Sequence, residues 1–197
     1  MIKNMVKKYT DKQLLDKVKS LPSFAAIPKG LWIIGVRSEE DTPNLFDDKF
    51  YLFDAEKFVM VLSGTTHPGT TVLKNYFKYN AVGAAVVKAD EWYYNVWKYG
   101  LHKGKMPALL QLGSRITVFR DGDKDDKSEE IGVPVKGWFG INFHLNTYDF
   151  QSKVKKQFIN DWSAGCQVCD VTVEYLRLIA LVHERNELVS YCLLKEF

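Results

Sequence analysis

Cys166 and His144 are the two residues in this chain whose types and surroundings suit covalent chemistry. Cys166 stands in Asp161-Trp162-Ser163-Ala164-Gly165-Cys166-Gln167-Val168, and upstream His144 closes Gly140-Ile141-Asn142-Phe143-His144. A thiol becomes a competent nucleophile when a neighbouring base takes its proton, and an imidazole suits that task. A cysteine that follows glycine on a segment leaving a turn can present its sulfur and its own backbone N–H to one carbonyl. The expected chemistry is acyl transfer on a peptide.

The residues around the pair favour this use. On an extended segment, alternation puts Ile141 and Phe143 on one face and Asn142 and His144 on the other. Gly137 and Gly140 leave room beside that polar face for a substrate or an approaching backbone. Ser163, Ala164 and Gly165 form a small-residue turn before Cys166, which a cysteine serving only as core filler would not need. Cys169 and Cys192 sit among apolar residues and are expected in or near the core. The Cys166-x-x-Cys169 spacing lacks the second ligand pair of a zinc site and the βαβ context of a redox motif. His67, in Thr65-Thr66-His67-Pro68-Gly69, belongs to a turn with a structural role. His102, in Gly100-Leu101-His102-Lys103-Gly104, is a candidate for substrate contact. Asp121-Gly122-Asp123-Lys124-Asp125-Asp126 alternates carboxylates as a calcium loop does. Its sixth position is Asp126 in place of glycine and its twelfth is Gly132 in place of glutamate, so a solvated acidic loop is expected.

These residues must be positioned by many short strands and a few helices. Thr10 and Gln13 have the spacing of a capping box, followed by Leu14, Leu15 and Val18, which predicts a short helix ending at Leu21-Pro22. Strands are predicted at Leu31 to Val36, Phe50 to Phe53 and Phe58 to Leu62, the last two joined through 54–57 as a hairpin. Further strands are expected near Gly83 to Val87, Ala108 to Leu112, Ile116 to Phe119 and Trp138 to His144. Trp92 to Trp97 is ambiguous in period and reads as short helix or loop. Thr172 to Arg185 carries apolar residues at helical spacing, and Leu188 to Leu194 predicts a final strand. The fold class is α+β with a mixed, mainly antiparallel sheet or sandwich and two or three helices. The organisation expected is an N-terminal helical extension over 1–30 and one domain over 31–197.

Composition narrows the function classes. With 46% hydrophobic and 26% charged residues in 197, the chain is an ordered globular protein sized for one core. A net charge of +3 is too small a surplus to argue for nucleic acid. Lys153, Lys155 and Lys156, the densest basic cluster, read as a solvated face. Basic residues within 1–8 are not followed by the apolar block of a secretory signal, and no stretch is apolar enough to insert in a membrane. Three cysteines cannot all pair within one chain, so a disulfide framework is not expected. The protein is expected to be made in a cytoplasm and to reach any outside target through lysis, injection or dedicated export. No cofactor and no metal are expected, and the sequence leaves the oligomeric state open.

With His144 and Ser163-Ala164-Gly165-Cys166 in view, the C-terminal third resembles the L,D-transpeptidase catalytic domain, whose members remodel bacterial peptidoglycan. From about Trp32 onward the chain also resembles a divergent bacterial and phage group related to that domain. The shared phrases are Asn44-Leu45-Phe46-Asp47-Asp48, Thr65 to Gly69, Gly100 to Gly104, Thr117-Val118-Phe119-Arg120-Asp121 and Trp162 to Val168. The resemblance implies an L,D-transpeptidase type of fold, with Cys166 as nucleophile, His144 as base, Gly165 as the small residue beside the cysteine and the Leu145 carbonyl as the third member of the triad. Ala164 and Val168 stand where the family keeps a second histidine and an arginine.

The implied function is cysteine-dependent acyl transfer on peptidoglycan stem peptides. Cys166 attacks a bond between an L and a D centre, with the backbone N–H groups of Gly165 and Cys166 facing the oxyanion. Release by water makes a peptidase and release by an amine a transpeptidase. The hydrolytic outcome, phage or prophage wall lysis of the endolysin kind, is the leading expectation. Asn142, Ser163, Gln167, His102 and Trp162 are the expected substrate contacts. The alternatives are a non-catalytic peptidoglycan-binding or virion-associated module, and an injected antibacterial toxin of the same fold.

Overall fold

The computed structural model describes residues 8–39, 42–151 and 155–197. Helix α1 (Asp11–Lys19) begins where the capping box predicts. The Thr10 hydroxyl accepts the Gln13 N–H, and the Gln13 side chain accepts the Thr10 N–H. Its apolar face, Leu14 and Val18, packs onto Trp32 and Trp92, and the Trp92 indole donates to the Val18 carbonyl at 2.9 Å. The first thirty residues, where described, thus lie against the rest of the chain. The basic start at 1–7 and Lys153 fall outside the described residues.

Strands β1 (Leu31–Arg37), β2 (Asp48–Asp54) and β3 (Lys57–Thr65) form a meander whose second turn is the predicted hairpin. The chain then builds α2 (Thr70–Lys74), a 3₁₀ turn (Tyr76–Lys78), β4 (Ala84–Val87), β5 (Glu91–His102), β6 (Met106–Gln111), β7 (Ile116–Asp121) and β8 (Val135–Gly137). It ends with β9 (Phe143–Leu145), β10 (Gln167–Cys169), α3 (Thr172–Arg185) and β11 (Val189–Lys195). Eight strands close in the order β1-β11-β5-β6-β9-β10-β3-β2, and β4, β7 and β8 form a separate antiparallel sheet. The sheets are mostly antiparallel, with β1–β11 and β9–β10 as parallel pairs. An α+β fold with three helices follows, its main sheet closed on itself.

Closure explains which sequence runs are apolar throughout. Every residue of β1 is buried: Leu31 and Ile33 face the barrel interior, while Trp32, Ile34 and Val36 face the layer under α1. A strand covered on both sides reads as a continuous apolar run. Helix α3 inserts Tyr175, Leu178, Ile179 and Val182 into the interior cluster and contacts β3, β5 and β6. It starts and stops at the residues its periodicity predicts, with Asn186 left-handed after its last turn.

Two elements differ from expectation. Trp92 to Trp97, read as short helix or loop, lies within β5, the longest strand. Tyr93 and Trp97 point to the interior and Trp92 and Tyr94 to the α1 layer, but Asn95 adopts a positive φ of 52°. The pairing with β11 shifts register there, so the sequence does not alternate cleanly. The strand expected over Trp138 to His144 is confined to Phe143–Leu145, because Gly140 takes a left-handed φ of 69°. The N–H groups of Phe139 and Ile141 both donate to Gln111 Oε1 at 3.0 Å, and the Gln111 amide donates to the Gly137 carbonyl at 3.0 Å.

Gln111 therefore replaces a missing strand partner for the approach to His144. Gln111→Ala should lower stability by roughly 1–3 kcal/mol, the cost of stranding buried backbone donors. Urea denaturation measures it, and an unchanged midpoint would show that the segment is held by other contacts.

Candidate functional site

The site is assembled on the parallel pair β9–β10, where Val168 lies opposite His144 and Gln167 opposite Phe143. Phe143, Leu145 and Cys169 belong to the interior cluster, so His144 and Val168 face outward. One step back along each strand, Asn142 and Cys166 project to the same outer side. Cys166, just before β10, is thus a diagonal neighbour of His144 across the parallel pair.

The turn before Cys166 is tied down by small residues. Ser163 Oγ accepts the Gly165 N–H at 3.1 Å and donates to the Cys166 carbonyl at 2.8 Å. The Ala164 carbonyl accepts the Ala85 N–H from β4. Gly165 has φ of +132°, and a Cβ there would lie 2.6 Å from the Ala85 carbonyl oxygen. Only glycine fits. These contacts correct the expected roles of three residues. The Gly165 N–H, expected at the oxyanion, is bonded to Ser163, and Ser163 itself is fully buried. Gln167, expected on the substrate, is buried with its oxygen accepting from Tyr191 at 2.6 Å and its amide donating to the Gly165 carbonyl.

Cys166 is partly buried. Its thiol donates to the Gly140 carbonyl at 3.5 Å and its sulfur accepts the Asn142 N–H at 3.5 Å. Burial pushes the thiol above its usual range, while the Asn142 N–H and the Lys103 ammonium pull the other way. His144 is buried, and its Nδ1 lies 2.8 Å from the Leu145 carbonyl. A carbonyl can only accept, so the proton sits on Nδ1 and the lone pair on Nε2. Burial, then the neighbouring His102, holds the His144 imidazole down to about 3. The resting pair is a neutral thiol and a neutral imidazole, with no direct hydrogen bond between them among the described residues.

His102, at the end of β5, stacks on His144 with ring centroids 4.3 Å apart, and its Nδ1 is 3.1 Å from the Asn142 side-chain nitrogen. His102, Lys103, His144, Tyr148, Asp161 and Trp162 line a cleft of about 170 Å³. Lys156 lies 4.0 Å over the Trp162 ring and Tyr148 packs beside it at 5.5 Å. Of the expected substrate contacts, His102 and Trp162 line the cleft, and Asn142 stands behind His102. Lys103, Tyr148 and Asp161 were not singled out in the sequence. Lys103 follows His102 directly, but nothing local marks the other two, which long loops deliver.

The remaining candidates lie elsewhere. His67 is buried and lines a different cavity with Arg37 and Glu130, where the guanidinium bonds Thr66, Glu130 and the Val87 carbonyl. Cys169 faces the barrel interior and Cys192 the α1 layer. The side chains of Cys166 and Cys169 therefore leave β10 on opposite faces. In the acidic loop, carboxylate oxygens of Asp123, Asp125 and Glu129 lie within 4.8 Å of one another, and Asp121 accepts the Glu129 N–H. No helix of the described residues is long and apolar enough to cross a membrane. Comparison with family models, curated proteins and solved structures finds no match to this chain.

Two measurements test this geometry. Gly165→Ala should destabilise the protein by at least about 1–3 kcal/mol through strain and overlap, read as a lowered thermal midpoint. His144 should make the fold acid-sensitive. Its folded value near 3 lies below the ordinary 6.5, so the unfolded chain binds more protons between those values. The stability is intact above about pH 6.5 and lost as pH falls toward 3. His144→Gln should remove roughly 3 kcal/mol of the fall in stability between about pH 7 and pH 4. Parallel pH curves for both proteins would contradict the neutral, buried imidazole.

Proposed function

We propose that this chain is a cysteine acyl-transfer enzyme of the L,D-transpeptidase type that hydrolyses peptidoglycan stem peptides. The observation that supports this most is the shared outer face of β9 and β10. It sets Cys166 diagonally from His144 beside a cleft, while the Leu145 carbonyl holds the His144 proton on Nδ1. A neutral imidazole with Nε2 unprotonated is the form that accepts a proton.

The reaction starts from the neutral pair. A rotation of the Cys166 side chain releases the thiol from the Gly140 carbonyl. The S–H proton passes to His144 Nε2 as the sulfur bonds to the peptide carbonyl carbon, and the carbonyl π pair moves to oxygen. The Cys166 N–H faces this oxyanion. Collapse breaks the C–N bond, and the leaving amine takes the proton from His144. Water, deprotonated by the same Nε2, then cleaves the thioester and regenerates the thiol. Because burial raises the thiol and lowers the imidazole, no standing ion pair precedes substrate, and proton transfer accompanies attack. The Lys103 ammonium favours the thiolate as it forms.

A second reading is a stem-peptide-binding module without turnover. The protonated thiol and its bond to Gly140 in place of His144 favour it. Incubation with purified muropeptides separates the two. The enzyme should release a shortened peptide and show a covalent Cys166 adduct by mass spectrometry. Cys166→Ala and His144→Ala should each lower kcat by at least about a hundredfold, in the range expected for loss of a nucleophile or general base. Cleavage surviving in Cys166→Ala removes the nucleophile assignment, and binding without product by the wild type supports the module.

A further inference from the structure

His102 has no role in the mechanism above, yet its ring shares the cleft with His144. The Asn142 amide that meets it is fixed in orientation, because Asn142 Oδ1 accepts the Gln111 N–H at 2.9 Å. Turning that amide over would set N–H groups against each other. Asn142 must therefore present its NH₂ to His102 Nδ1, 3.1 Å away, and Nδ1 must carry the lone pair. A neutral His102 then holds its proton on Nε2, for which no acceptor is found among the described residues. Protonation at Nδ1 would oppose the Asn142 amide, the Lys103 ammonium next in sequence and any charge on the stacked His144. Asp161 and Tyr148 are the other titratable groups lining this cleft.

We infer that His102 is a catalytic hydrogen-bond donor, giving its uncharged Nε2–H to the peptide carbonyl oxygen as that oxygen becomes an oxyanion, with Asn142 as its positioning residue. This rests on the reading of Cys166 as nucleophile. Two observations lead to it. The Gly165 N–H is already bonded to Ser163, so of the two backbone donors expected at the oxyanion only the Cys166 N–H is left. A cationic donor stacked at 4.3 Å would resist the imidazolium that His144 becomes, whereas a neutral one adds a hydrogen bond without that repulsion. One oxyanion donor is worth about 10²–10³ in kcat.

The test uses the full chain and a stem-peptide aldehyde. Addition of Cys166 forms a C–S bond to the aldehyde carbon, and the thiol proton ends on oxygen as a hemithioacetal, whose oxygen occupies the oxyanion position. His102→Ala should weaken this adduct and lower kcat by roughly a hundredfold with little change in KM. His102→Gln, whose amide N–H stands in for Nε2–H, should recover most of both. Imidazole ¹⁵N NMR of the wild type at neutral pH should show His102 protonated on Nε2 alone, with its titration below that of an ordinary imidazole. Asn142→Asp, which presents only acceptors, should bring a second proton to Nδ1 and a titration at higher pH. Equal adduct affinity in wild type and His102→Ala, or a wild-type His102 protonated on Nδ1, overturns the inference and leaves the proposed function standing. A wild type that neither cleaves muropeptides nor forms the adduct overturns both.

Discussion

The site depends on the parallel register between two three-residue strands, β9 and β10. Strands this short do not hold a register alone, and here each is anchored on both sides: β9 pairs with β6 through Leu109 and Phe143, and β10 pairs with β3 through Val168 and Cys169. Phe143 locks the arrangement from within, with ring contacts to Phe50 at 5.0 Å, Trp97 at 5.6 Å and Tyr175 at 5.9 Å. A slip of one residue would turn His144 into the barrel interior and Phe143 out of it. Core packing inside the barrel therefore decides which side chains stand outside it.

Around this register the chain spends polar groups on backbone that no strand satisfies. Gln111 serves the segment 137–141, Ser163 serves the turn at Gly165, and Gln167 joins that turn to Tyr191 in the interior. These buried amides and hydroxyls are committed, and a committed donor is not free to meet a substrate. What lines the cleft is a small set: the imidazoles of His144 and His102, and the rim of Lys103, Tyr148, Asp161 and Trp162, with the partly buried Cys166 thiol on the same outer side of the strand pair. Burial keeps the central groups uncharged at rest. A neutral thiol beside a neutral imidazole avoids the cost of desolvating an ion pair until a reacting group can use the charge.

Local signals in the sequence are legible where local physics decides. The capping box at Thr10, the apolar stripe of α3 and the β2–β3 hairpin depend on residues close together in the chain, and each stands as its pattern predicts. The alternation that sets His144 opposite in face to Phe143 was equally legible. Trp92 to Trp97 was not, because the left-handed Asn95 breaks the period that identifies a strand. Nor was the shortness of β9, since Gly140 ends extended structure in a way that only its φ reveals. Ser163 and Gln167 looked available because polarity is visible in a sequence and saturation by partners is not.

By itself the sequence singled out Cys166 and His144 as a candidate pair, marked Ser163 to Gly165 as a small-residue turn and indicated an α+β chain. Residue type and short-range spacing suffice for those. Only the tertiary structure decided that Asn142 serves His102 rather than the cleft, that Lys103, Tyr148 and Asp161 complete the rim, and that Gly165 donates its N–H to Ser163. Those outcomes depend on which strands adjoin and which groups have already been satisfied across long stretches of chain, and no local pattern records that.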